Sequence, residues 1–181
     1  MKREANFRIG IRSLKTAITA TVCALLYFLF DRNPTFACIG AIFGTGSDMG
    51  SAWLNGGNRF FGTVIGGFIG MLLFRFYIIF EPDGGYTPLL LLLTFIGILI
   101  LICFCQIFKW VGGIQPGGVV LCIILFNTPV DTYISYSLAR MFDTGVGVGL
   151  ALLVELLLPK ERIMRIYRKV FKKKQCGSIN E

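Results

Sequence analysis

The sequence predicts an all-α fold: a polytopic membrane protein whose six transmembrane helices form two inverted three-helix repeats, with both termini cytoplasmic. Three observations predict this. Of 181 residues, 55% are hydrophobic and only 15% are charged, well short of the roughly one-quarter charged residues of an ordinary soluble domain. Residues 88–105 (PLLLLLTFIGILILICFC) carry no charge, and about 18 such residues are needed to cross a hydrocarbon layer about 30 Å thick. Finally, RFFGTVIGGFIG at 59–70 is echoed by RMFDTGVGVGLA at 140–151.

Six spans are expected, near residues 13–30, 34–47, 60–80, 88–108, 111–128 and 137–158. Span 1 ends at DRNP and span 2 at SDMGSAWLNGGN; span 3 ends at EPDGGYTP and span 5 at NTPVDTY. These are clusters of Pro, Gly, Asn and Asp, the residues that stop helices and build turns. The break between spans 4 and 5, QIFKW, is marked by Lys109 alone. Continuous apolar runs indicate helices, because barrel strands alternate. The chain thus divides into a basic N-terminal segment (1–12), a transmembrane module (13–159) and a basic tail (160–181).

Orientation follows from the 18 Lys and Arg. Five lie in residues 2–15 and eight in 160–174, which places both ends on the cytoplasmic side. Arg59 and Lys109 then also fall inside, leaving Arg32, Arg75 and Arg140 outside. The net charge of +8 is accounted for by this topology, so no nucleic-acid partner is inferred. The tail PKERIMRIYRKVFKKK reads either as a basic helix on anionic headgroups or as a solvated flank. No small-residue cleavage site follows the first apolar run, so a signal peptide is not expected. Six cysteines without CxxC spacing read as small interface fillers, and the lack of histidine removes zinc-protease motifs, Ser-His catalysis and His relays. No cofactor, metal site or enzymatic activity is expected, and no nucleotide-binding loop is present.

Aligning 59–74 with 140–155, an offset of 140 − 59 = 81, makes five of sixteen positions identical. With a one-residue slip, Asn33-Pro34 matches Gln115-Pro116, so spans 2 and 3 correspond to spans 5 and 6. A three-helix unit is odd, so its copy enters the membrane upside down, the architecture of many secondary transporters. Spans 2 and 5 are short and interrupted by Gly and Pro, which points to a substrate site beside Pro34 and Pro116.

Gly62, Gly66 and Gly70 on span 3 and Gly147 on span 6 are expected to let helix backbones approach. Arg140, Asp143/Thr144, Gly147, Ala151 and Glu155 form one stripe along span 6. Arg140 and Asp143 can pair at i,i+3. With the stripe facing inward, Arg140 attracts an anionic substrate and Asp143 or Glu155 carries a coupling proton; the bland reading is a structural ion pair. Arg59, which begins span 3 at the cytoplasmic face, is counted with Arg140, Asp143, Glu155, Pro34 and Pro116 as a candidate substrate or coupling residue.

Several runs together resemble a known family: Arg12-Ser13-Leu14-Lys15-Thr16-Ala17, Pro34-Thr35-Phe36-Ala37, Arg59-Phe60-Phe61-Gly62-Thr63-Val64-Ile65-Gly66, and Arg140…Asp143-Thr144…Gly147 closing at Pro159. Over residues 8–160 the chain resembles the aromatic acid exporter family, also called fusaric acid resistance-like proteins. The resemblance implies a six-helix, multi-pass module of the inner (plasma) membrane and efflux of aromatic carboxylic acids. Many relatives add a cytoplasmic helical domain or a second membrane module, so a single module implies a homo-oligomer, most simply a dimer. The expected function is a secondary transporter exporting small aromatic or other organic anions, driven by protons. The alternative is a non-transporting membrane scaffold or a subunit acting with a separate partner.

Overall fold

The computed structural model describes residues 11–82 and 85–157. The expectations for the N-terminal basic segment through residue 10, and for the tail with Pro159 and Cys176, lie outside the described residues. Six α-helices and no strand occur among the described residues: α1 (Ile11–Leu29), α2 (Thr35–Gly44), α3 (Met49–Phe80), α4 (Pro88–Ile107), α5 (Ile114–Asn127) and α6 (Tyr133–Leu157). Single 3-10 turns, Val111–Gly113 and Val130–Thr132, lead into α5 and α6.

Four helices, α1, α3, α4 and α6, are long and apolar enough to cross a membrane. The other two are not. At 1.5 Å per residue, the 10 residues of α2 and the 14 of α5 extend roughly 15 and 21 Å, short of the ~30 Å hydrocarbon layer. The expectation of six helices holds, but two of them cannot span by themselves.

The start of α3 departs most from the sequence reading. The segment SDMGSAWLNGGN was expected to be loop up to residue 60, yet helix begins at Met49. Its start is fixed by a reciprocal cap: the Asp48 carboxylate accepts from the Ser51 amide while the Ser51 hydroxyl faces the Asp48 backbone amide. Gly and Asn are weak helix formers, but Ala52 and Gly56 bury one face of this extension, with Gly56 against Val148 of α6 and Gly44 of α2. Arg59 therefore lies ten residues (59 − 49) inside a helix, about 15 Å from its end, and not at the start of a span.

The helices sort into two bundles. Cys23 and Tyr27 of α1 and Ala37 and Ala41 of α2 pack with Val146 and Leu150 of α6. A larger cluster joins α3, α4 and α5 through residues such as Phe74, Leu101, Leu121 and Ile124. Within them, α2 lies along α6 and α5 along α3, each pair parallel: Gly40 meets Thr144 and Gly44 meets Val148, while Gly62 meets Gly113 and Gly66 meets Gly117. A Cβ on Gly66 would collide with the Gly117 backbone, and one on Gly147 with the Ala37 carbonyl. Backbones come this close because apolar area gives helices in lipid little drive to associate, so small residues and tight packing supply the cohesion. Gly62 and Gly70 also face α5, at Pro116 and Ile124.

An antiparallel crossing of α3 on α6 joins the bundles, with Gly67 against Met141 and Phe60 beside Gly145. By that register Arg59 and Arg140 differ in height by about six to nine residues, roughly 9–13 Å.

Candidate functional site

Between the two bundles, at the end marked by the start of α1 and the α4–α5 connection, lies an open cleft of about 650 Å³. Its polar lining is Arg12 and Thr16 from α1, Asn55, Asn58 and Arg59 from α3, and Gln115 from α5; Ile42, Phe43, Pro116 and Val119 supply apolar walls. Arg59 is the deepest charge, 8% exposed, with its guanidinium carbon 5.2 Å from the centre of the Phe43 ring. Among the described residues no Asp or Glu lines the cleft and none forms an ion pair with Arg59. A buried cation is costly unless something neutralises it. The arrangement offers unpaired positive charge, three side-chain amides and an aromatic face, which suits a small anion bearing a ring.

Of the residues singled out in the sequence, Arg59 and Pro116 meet in this cleft. Pro34 does not; it borders an open groove at the other end with Asp31, Arg32 and Asn33. The α6 stripe faces the interior: Asp143 and Glu155 are each 4% exposed, and Thr144 and Ala151 are buried.

The expected Arg140–Asp143 pair does not form among the described residues. Asp143 Oδ1 instead accepts from Tyr27 Oη at 2.9 Å and Arg32 at 3.3 Å, because α1 packs antiparallel to α6 and brings both donors to it. Arg140 turns the other way, its guanidinium carbon 3.6 Å from the Phe36 ring centre and 4.2 Å from that of Tyr136.

Glu155 also has a partner that sequence reasoning missed. Lys15 Nζ donates to Glu155 Oε1 at 2.7 Å, with the two side chains 1% and 3% exposed. Lys15, Thr19, Cys23 and Tyr27 are all buried and recur every four residues, so α1 presents one polar seam running from Glu155 at one end to Asp143 at the other. That spacing was the available signal.

Five buried side-chain atoms lack a hydrogen-bond partner among the described residues: Arg59 Nε, Thr63 Oγ1, Arg140 Nε, Thr144 Oγ1 and Glu155 Oε2. Each orphan costs about 1–3 kcal/mol. Four of the five fall at two pairs of positions 81 apart, 59/140 and 63/144.

A sequence profile described as "Aromatic acid exporter family member 1" matches residues 7–158. The chain belongs to the aromatic acid exporter family. This exporter-family chain, with its four spanning-length helices, is a multi-pass protein of the inner membrane, and its family is one of membrane transporters. Comparison with curated proteins found no match, and comparison with solved structures found none.

Proposed function

We propose that the chain is a secondary transporter exporting small aromatic or other organic anions, with the cleft at Arg59 as its inward-facing substrate site. The observation that carries this reading is the Arg59 guanidinium: nearly buried, without an acidic partner among the described residues, and set beneath Asn55, Asn58 and Gln115. A carboxylate entering the cleft neutralises that charge, and its ring lies against Phe43. Membership of an exporter family supports the transport class.

In this reading α1–α3 and α4–α6 are the inverted repeats, and both termini are cytoplasmic. Its support is the exchange of partners: α2 lies on α6 as α5 lies on α3, the relation produced by swapping the two units. Half-length helices beside a polar cleft are the arrangement expected of a transporter midplane. Protons drive export through Glu155 and Asp143, the two buried carboxylates joined by the α1 seam. The working unit is a homodimer, for which Gly57 and Gly149, with open space before them, offer the small-residue face that helices in lipid pack through.

The test is efflux of labelled benzoate from proteoliposomes under an imposed pH gradient. Arg59→Gln is expected to raise the half-saturating internal concentration at least tenfold, and Glu155→Gln to remove the dependence on the gradient. Wild-type protein that is folded yet moves no organic anion favours the scaffold or partner-subunit reading instead.

A further inference from the structure

The geometry points to a second anion site at Arg140 and Thr144, closed in this conformation by the protein's own Phe36 and Tyr136 rings. The inference rests on reading the Arg59 cleft as the inner site and adds an outer counterpart to it.

Arg59 and Thr63 stand four residues apart on α3, and Arg140 and Thr144 four apart on α6, so each pair shares a helix face. In both pairs the Arg Nε and the Thr Oγ1 are buried without a partner among the described residues. That is not how threonine ordinarily behaves in this fold. Thr16, Thr19, Thr21 and Thr94 each donate to the carbonyl four residues earlier, as helical threonines commonly do. Thr63 and Thr144, both wholly buried, leave that bond unmade and keep a hydroxyl free. A free guanidinium N–H one turn from a free hydroxyl is a donor set for an oxyanion.

The two sites differ in their covers. At Arg59 the single ring, Phe43, stands 5.2 Å off and is 60% exposed, and the cleft is open. At Arg140 two rings close in, Phe36 at 3.6 Å and Tyr136 at 4.2 Å. Those rings occupy the stacking positions that a ring-bearing anion would take. Asp143 sits three residues from Arg140, but its carboxylate is held by Tyr27 and Arg32. The cation at Arg140 is therefore left for a ligand. The ligand class is a small carboxylate with a planar ring, passed between two arginines whose heights differ by roughly 9–13 Å.

The experiment is equilibrium dialysis of radiolabelled benzoate against purified protein. Wild type is expected to bind one benzoate per chain, lost in Arg59→Gln. Phe36→Leu with Tyr136→Leu, which keeps both positions apolar while vacating the ring positions, is expected to bind a second that Arg140→Gln abolishes and Arg140→Lys weakens about tenfold, because lysine lacks the planar, stacking fork. A ring-deleted variant that still binds one benzoate overturns the outer site and leaves the inner reading intact. If wild type binds none and the ring-deleted variant binds one through Arg140, the inner reading fails and this one stands. Should the double variant not fold, Phe36→Leu alone is read in the same way.

Discussion

The Lys15–Glu155 pair gives the most demanding test of the packing. Its atoms are 2.7 Å apart, and its side chains are 1% and 3% exposed, so solvent screens neither charge. Lys15→Met leaves a buried carboxylate facing an apolar side chain, and Glu155→Leu leaves a buried ammonium without its counter-charge. Breaking a buried pair by removing one partner costs about 3–5 kcal/mol, whereas replacing both with apolar groups of similar volume is often neutral or stabilising. Each single variant should therefore unfold well before wild type, and Lys15→Met/Glu155→Leu should recover most of the loss. The assay is a thermal double-mutant cycle on detergent-solubilised protein, followed by the fluorescence of Trp53 and Trp110. Losses that simply add in the double variant would refute the contact, since residues that do not touch give additive effects. Recovery with loss of pH-driven efflux would separate the pair's structural role from its coupling role.

Two further outcomes follow from local geometry. Gly66→Ala places a Cβ into the Gly117 backbone and should cost about 1–3 kcal/mol in a thermal melt, while Gly118→Ala, whose Cβ would meet only a Leu101 methyl at 4.0 Å, should be neutral or slightly stabilising. Hydrogen bonds from the Ser51 and Ser47 hydroxyls hold the Asp48 carboxyl below its ordinary value, so its cap stabilises the start of α3 above the unfolded carboxyl value and is lost as pH falls through the lower folded one. Protection of the Ser51 amide against hydrogen exchange, taken relative to its intrinsic rate, should fall once pH drops below the ordinary carboxyl range, and in Asp48→Ala it should be low at every pH.

Helix count, the two short helices and the buried stripe on α6 were legible because each is written in local pattern: apolar run length, Gly/Pro interruption and three- and four-residue spacing. The Gly/Pro interruption at Pro116 was legible in the same way, whereas Arg59 reads as the start of a span and stands ten residues (59 − 49) inside α3. The start of α3 was not, because Asn55, Gly56, Gly57 and Asn58 read as turn and only the burial of Gly56 against α6 overrides their weak propensity. Lys15 was hidden differently. In the first turns of α1 it looks like one more topogenic cation, and the residue that explains it lies 140 positions away. Arg140 and Asp143 had the spacing to pair, but a Tyr and an Arg from another helix reached the carboxylate, and two rings took the guanidinium.

The short helix α2 ties the two arginines together. Phe36 and Phe43 lie seven residues apart, nearly two turns, so they project from almost the same side of one rod about 10 Å apart. One covers Arg140 and the other stands over Arg59. The rod is only ten residues long and rests on α6 through Gly40 and Gly44; on the two-site reading it moves as one unit during transport. A shift of the whole helix that withdraws Phe36 from Arg140 carries Phe43 along. On the two-site reading, this linkage keeps both sites from opening at once, which an exporter needs if it is not to leak. Cutting the linkage, by inserting Gly-Gly between Ala37 and Cys38 so that Gly40, Ile42, Phe43 and Gly44 keep their register, should leave benzoate binding at Arg59 intact while making efflux insensitive to the pH gradient. Efflux still fully coupled after that insertion would show that α2 does not transmit the exchange.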